Sequence, residues 1–522
     1  MNIGSEMQEI SSNNKRIAKN TLLLYFRMLV TMAVSLYTSR VVLNILGVED
    51  FGIYNVVGGI VAMFGFINGS MTSATQRYLT FELGQNNRAQ LTKVFSTSLS
   101  IHGIISFLII VLAETVGLWF LWNKMQIPAD RMNAAFWVFQ CSVAASVIMI
   151  MSVPYNAAII AHERMSAFAY ISIIEVSLKL LIVCFLRYFH TDKLILYAAL
   201  IVIVQFLIRL CYSWYCNRHF NETKYRWSWD KGLFKEMTGF ASWNMFGSLA
   251  AITFTQGLNL LLNMFFGPVV NAARGIAVQA QTAIGQFSSN FQTALNPQIT
   301  KSYATGDMEY MHGLIFRSAK FSFFLLLLLS LPVLIETKAI LTLWLKIVPD
   351  HTVVFLRIML CTTWVYAVSN PLITAASATG KIKLYQSVVG GLLLLILPIS
   401  YLCLRFGLPA YSVFIVHFVM EITAQFARLL MLRRMIRLSL REYFAKVIWS
   451  ISKVTAIALA VPQAVIYCHP QHGVWNLLMV CLVCTLSTSI SIYYFGLTSG
   501  EKTFISSKIS AILTRLKPKT KD

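Results

Sequence analysis

Arginines and amides recur in this sequence inside stretches that are otherwise apolar, and their spacing is helical. Arg27, Thr31, Ser35 and Thr38 stand at offsets of 0, 4, 8 and 11, which fall on one helix face. A second stripe carries Arg274, Gln281, Ser288 and Gln292, with Gly285 between them. A third carries Asn244, Ser248, Thr255 and Asn259. A fourth carries Asn68, Thr72, Thr75 and Gln76, preceded by Gly58, Gly59, Gly65 and Gly69. A guanidinium binds phosphate through a planar fork of donors. Amides and hydroxyls suit a partner rich in hydroxyl groups. In an apolar helix such a stripe marks a bundle interior or an aqueous cavity.

Ordinary helix–helix contact accounts for Ser35 and Thr38. It accounts poorly for the run Gln279, Gln281, Gln286 and Gln292, because four amides need many partners in a dry bundle. An aqueous cavity is therefore expected beside these helices. Arg27, Arg40, Arg77 and Arg274 form its cationic set, with Gln281 and Asn259 as polar neighbours. Arg40 stands about 220° around the helix from Arg27, so both reach one cavity only if the helix bends. Arg77 sits at the inner mouth. Arg209, Arg357 and Lys453 lie near span ends, where long side chains reach the headgroups.

Three further ionisable residues lie mid-span. Glu175 and Lys179 stand at i, i+4, the spacing of a helical ion pair, and a self-satisfied pair is the favoured reading. Glu421 has no partner near it in sequence, which makes it the stronger candidate for ion coupling. Cys481 and Cys484 have metal or redox spacing, but only Leu, Val and Met surround them, so they read as apolar packing. Cys468, His469 and His472 offer only three candidate ligands. No metal or cofactor is expected.

The elements that position these residues are membrane spans. Of 522 residues, 57% are hydrophobic and 12% charged, whereas a soluble protein carries about 25% charged residues. A soluble enzyme, a disordered scaffold and a collagen-like fibre are excluded, and an all-α polytopic membrane protein remains. Stretches long enough to cross about 30 Å of hydrocarbon fall near 22–45, 54–75, 96–121, 134–155, 168–188, 194–215, 239–264, 270–294, 318–335, 352–375, 384–403, 409–431, 447–467 and 473–495, which makes fourteen. The segment from Met1 to Asn20 is polar, so no cleaved signal is expected.

Lys and Arg crowd into alternate loops. The stretch 216–238 holds Arg218, Lys224, Arg226, Lys231 and Lys235, whereas 46–53 and 265–269 hold none. This bias puts both termini in the cytoplasm and explains the net charge of +22. The basic run Arg428, Arg433, Arg434, Arg437 and Arg441, with the tail Arg515, Lys517, Lys519 and Lys521, reads as membrane-surface anchoring. No aromatic platform accompanies it, so nucleic acid is not an expected partner.

An internal repeat organises the chain. Asn44 to Gly47 resembles Asn263 to Gly267, and Gln76, Thr80, Phe81 and Gly84 match Gln298, Ser302, Tyr303 and Gly306 at a constant offset of 222. The expected layout is a cytoplasmic segment over 1–21, six spans over 22–215, a cytoplasmic linker over 216–238 and six spans over 239–431. A basic cytoplasmic loop over 432–446, two appended spans over 447–495 and a basic tail over 496–522 complete it. Parallel repeats of this kind are a transporter device.

Fourteen spans, two six-helix halves, and arginines instead of acids on the first and eighth helices resemble the polysaccharide flippases. Their superfamily also holds multidrug exporters and the lipid II flippase. The stretch Leu46-Gly-Val-Glu-Asp-Phe-Gly-Ile-Tyr54, the Gly-rich second span and Thr75-Gln-Arg-Tyr78 are similar to the N-terminal part of such proteins. The resemblance implies alternating access in a bacterial inner membrane. It implies a polyprenyl-pyrophosphate-linked oligosaccharide as cargo, and membrane lipids and other polysaccharide-assembly proteins as partners. It implies a pyrophosphate-holding role for Arg27, Arg40 and Arg274. No Walker motif is present, so ATP does not drive the step directly. A cation-coupled multidrug exporter is the alternative, but it would place acids on the first, second, seventh or eighth span, and none is there. A membrane-embedded glycan polymerase or ligase would need a sizeable outer loop, and the loops here are short.

Overall fold

The structure is a computed structural model that describes residues 3–62, 65–123, 127–186, 188–189, 191–224, 230–345, 348–468 and 473–503. Side chains at some helical positions, those of Arg40, Asn44, Asn68 and Asn263 among them, lie outside the described residues, as do His469, His472 and the tail beyond Thr503.

The chain is a succession of helices, with no strand among the described residues. Fourteen of the helices carry the argument: α1 (Ile3–Ala62), α2 (Gly65–Gly84), α3 (Arg88–Leu112), α4 (Met132–Ala161), α5 (Met165–Leu186), α6 (Lys193–His219), α7 (Lys231–Phe266), α8 (Pro268–Thr305), α9 (Met308–Ile335), α10 (Thr352–Ala378), α11 (Lys383–Leu394), α12 (Ser412–Met435), α13 (Trp449–Cys468) and α14 (Val474–Ser491). Local chemistry sets several starts. Asn87 caps α3 by accepting from the Gln90 N–H, and Asp192 caps α6 by accepting from the Leu194 and Ile195 N–H groups.

Among the described residues, twelve helices are long and apolar enough to cross a membrane. They match twelve of the fourteen stretches expected from sequence. The two without a match are 54–75, part of which lies outside the described residues, and 270–294, which is α8. Both are stretches that carry polar stripes. Large apolar side chains stay exposed along the others, as with Phe107 at 65% and Trp214 at 62%, as lipid-facing surface demands.

The repeat is visible in the backbone. Gly47 breaks α1 at φ 81° and ψ 171°, and Gly267 separates α7 from α8 at φ 78°. Residues with a side chain rarely adopt that left-handed region. The first and seventh spans thus end in the same way.

The chain forms two compact units. The first holds Met1–Thr253, Asn290–Met311 and Thr374–Gly391; the second holds Phe254–Ser289, His312–Ile373 and Leu392–Asp522. The first unit therefore joins helices α1 to α6 with the start of α7, the end of α8 and the turn between α10 and α11. Its core packs α4 on α6 and α1 on α5, with Phe95 edge-on to Tyr155 at 5.2 Å. In the second unit Phe355 of α10 meets Phe414 of α12 at 4.5 Å. A Cβ at Gly496 would stand 2.7 Å from the Phe324 ring, so α9 and the segment Ile492–Gly496 that follows α14 touch through bare backbone.

Candidate functional site

In the second unit, Arg274 lies two turns into α8 and is 9% exposed. Its Nη1 donates to Asn259 Oδ1 at 3.2 Å and its Nη2 to the Thr255 carbonyl at 2.8 Å. Thr255 and Asn259 are four apart on α7, so they present both acceptors on one face. Nε is buried without a hydrogen-bond partner. Among the described residues no carboxylate pairs with this cation. Burying an unpaired charge is costly, so the site favours an anion. Gln281 donates to Thr363 Oγ1 at 2.8 Å and to the Met359 carbonyl at 3.3 Å, which fixes this face of α8 against α10. Ser288, two turns further, is buried with its hydroxyl unpartnered.

In the first unit, the Arg27 guanidinium lies 4.2 Å from the centroid of the Phe168 ring on α5. Its Nε is buried without a partner, and among the described residues the guanidinium has no hydrogen-bonded acceptor. Glu175 is close by, but it accepts from Lys179 Nζ at 2.6 Å and from Gln205 Nε2 at 3.1 Å. The i, i+4 pair is therefore self-satisfied, with Gln205 as an added donor. The side chain of Arg40 lies outside the described residues.

Arg77 differs from the other arginines. Its Nη2 donates to the Ala378 carbonyl at 3.0 Å, and its guanidinium packs over the rings of Tyr78, Phe81 and Phe240. Gly380 sits beneath it at φ 74°, where a Cβ would stand 2.7 Å from Nη2. Arg77 thus closes the C-terminal end of α10, and its charge answers that helix's carbonyls.

Glu421 is not alone, as its sequence surroundings suggested. It accepts from Arg428 Nη1 at 2.7 Å, with side-chain exposures of 6% and 3%. Seven residues make two helical turns, which aligns them on one face. Arg428 also donates to Ser369 Oγ at 3.0 Å, Ser369 donates to Gln425 Oε1 at 2.6 Å, and Gln425 donates to the Tyr443 hydroxyl at 3.2 Å. Arg428, read as an anchor at the membrane surface, is instead buried inside the second unit. Arg357 follows its expectation in part: it lies near a helix end, but it caps the Leu334 and Ile335 carbonyls there.

A charged cluster that the sequence did not announce lies in the first unit. Glu163, in the turn between α4 and α5, has φ 58° and a side chain only 1% exposed. Its carboxylate accepts from Arg16 Nε at 2.8 Å, Lys301 Nζ at 2.7 Å and Gln298 Nε2 at 2.6 Å. Its backbone carbonyl accepts from Asn20 Nδ2 at 3.1 Å. One residue thereby ties α1, the α4–α5 turn and the C-terminal end of α8. Beside it, the repeat-related Phe81 and Tyr303 face each other at 6.4 Å, Gln85 donates to the Ala304 carbonyl, and a Cβ at Gly84 would meet that of Ala304 at 2.8 Å. Only the repeat signal at Gln298 and Tyr303 pointed here. Cys481 and Cys484 are free thiols, and among the described residues no three His, Cys, Asp or Glu converge to hold a metal.

The apolar helices and their polar faces describe a multi-pass all-α membrane protein. Solved transporters share the fold. One is titled an outward-facing multidrug resistance MATE family transporter of the MOP superfamily, with TM-score 0.71 and 12% identity over 81% of this chain and 96% of that one. The MATE transporter VcmN of Vibrio cholerae in its bent form gives 0.68 and 17% over 82% and 98%. A MOP superfamily transporter from Pyrococcus furiosus, described as having a binding pocket of reversed polarity that suggests a different function, gives 0.66 and 14% over 81% and 96%. No curated protein matches the chain. Residues 17–303 match the polysaccharide biosynthesis protein family, and the chain belongs to that family.

Proposed function

We propose that this transporter moves polyprenyl-pyrophosphate-linked oligosaccharide units outward across a bacterial inner membrane, by alternating access, for surface polysaccharide assembly. The observation that carries the reading is Arg274: a buried guanidinium oriented by Asn259 and Thr255 and paired with no carboxylate among the described residues. Family membership supports a cargo drawn from polysaccharide synthesis. Such a cargo has an anionic head, which Arg274 suits, and hydroxyl-rich sugars, which Asn259 and Gln281 of the same unit suit. A cationic drug would instead need an unpaired acid, and Glu175 and Glu421 are both engaged with cations.

The test is a flipping assay in proteoliposomes with a fluorescent short-chain prenyl-pyrophosphate disaccharide. Arg274→Ala is expected to lower the rate at least about tenfold, the loss of one charge-assisted hydrogen-bonding group. Arg274→Lys is expected to recover part of it, since it restores the charge without the fork. Wild-type rates in Arg274→Ala, at equal protein in the membrane, would overturn the reading.

A further inference from the structure

The start of α7, the end of α2 and the α10–α11 turn line an open cavity of about 420 Å³ in the first unit. Its walls include Tyr78, Lys235, Phe240, Trp243, Lys381 and Lys383. Three of those six are lysines, all exposed, and among the described residues no carboxylate forms an ion pair with any of them. The carboxylate in the lining, Glu236, accepts from the Tyr78 hydroxyl at 3.1 Å. The ammonium of Lys383 lies 5.5 Å from the Trp243 ring, which holds it at the cavity wall.

The frame around these lysines is rigid. Ile382, between Lys381 and Lys383, is 2% exposed and anchors the turn in the core. Gly380 before them is pinned beneath Arg77, and the Lys381 N–H donates to Thr379 Oγ1 at 3.2 Å. Lys383 also opens α11, whose first N–H groups add positive potential at the same spot. On the topology expected from the charge bias, the start of α7 and the α10–α11 turn both face the cytoplasm. The cavity therefore combines cations without carboxylate partners and an aromatic wall.

We propose that this cavity binds the phosphate-ester head of a membrane-surface lipid, with Lys235, Lys381 and Lys383 on the phosphate and Trp243 against the group attached to it. Resting on the transport reading above, it is a capture site that receives the pyrophosphate head of the cargo from the cytoplasmic leaflet. An anionic phospholipid offers the same chemistry, and the experiment separates the two.

The full chain is placed in zwitterionic phosphatidylcholine nanodiscs, in an Arg27→Ala/Arg274→Ala background that removes the other proposed phosphate ligands. Farnesyl pyrophosphate is titrated and binding is followed by thermophoresis. Saturable, salt-sensitive binding is expected, weakened at least about tenfold by Lys235→Gln/Lys381→Gln/Lys383→Gln, whose side chains are exposed and whose replacement leaves the core intact. Trp243→Phe is expected to weaken a disaccharide-bearing probe more than farnesyl pyrophosphate. Nanodiscs containing phosphatidylglycerol form the second arm: full competition there assigns the cavity to phospholipid, and persistent farnesyl pyrophosphate binding assigns it to the cargo. Equal affinity with and without the three lysines would overturn the proposal. That outcome is independent of the flipping rate of Arg274→Ala, so the two readings fail separately.

Discussion

Glu175 and Glu421 look alike in sequence, each an acid in the middle of an apolar helix, and both are neutralised from their own helix. The Glu175 partner stands four residues away, within the range where sequence neighbours are sought. The Glu421 partner stands seven away and heads a basic run that looks like a surface anchor, so sequence reasoning left Glu421 unpaired. Geometry supplies what spacing alone did not: two full turns bring Arg428 beneath Glu421, and Ser369 and Gln425 complete the network. Removing one member of a buried pair leaves the other uncompensated, at a cost of about 3–5 kcal/mol. Arg428→Leu is expected to lower stability by that order, seen as a large drop in thermal midpoint in detergent. Glu421→Gln/Arg428→Leu together should recover much of the loss, and a double-mutant cycle measures it. Additive losses would show that the pair contributes no coupling.

At the level of elements, the spans, the polar stripes and the repeated glycine joints were legible, because each is written as a local period or a local residue type. Gly47 and Gly267 show this best: one sequence pattern gives one backbone break. The Glu163 cluster was not legible. His162, Glu163 and Arg164 stand between two apolar stretches with no spacing that marks a site, and the partners Arg16, Gln298 and Lys301 come from far along the chain. Only the folded packing of the C-terminal end of α8 against α1 brings these donors onto that carboxylate. Its cations remain half-exposed or quarter-exposed, so losing Glu163 strands neither of them deeply. Glu163→Ala is therefore expected to free the C-terminal end of α8 without unfolding the chain. A cysteine at Ala304, which is 5% exposed beside Gly84, reports it: membrane-impermeant maleimide added to inside-out vesicles should label Ala304→Cys about tenfold faster when Glu163 is absent. Unchanged labelling would mean that Gln85 and Gly84 hold this end closed by themselves.

For the whole molecule, the charge bias and the charge of the proposed cargo point to one driving force. On the orientation expected from the basic segments, reporters fused after Arg226 and Arg441 give cytoplasmic signals; a periplasmic signal at either would reverse the topology. In that orientation the proposed anionic cargo would leave a negative interior. The membrane potential then contributes about 2.3 kcal/mol per charge per 100 mV toward outward movement. At 1.36 kcal/mol per decade this is about fiftyfold in distribution for a single charge. Proton coupling would need an acid that gains and loses its proton during the cycle. Glu175 and Glu421 are each engaged by a cation, Lys179 at 2.6 Å and Arg428 at 2.7 Å, so neither stands free to take a coupling ion. Flipping is therefore expected to follow an imposed potassium-diffusion potential and to ignore a pH gradient set at zero potential. Proteoliposomes with valinomycin separate the two. A rate that tracks the pH gradient, and loses that dependence in Glu421→Gln or Glu175→Gln, would return ion coupling to those carboxylates and show that their salt bridges open during transport.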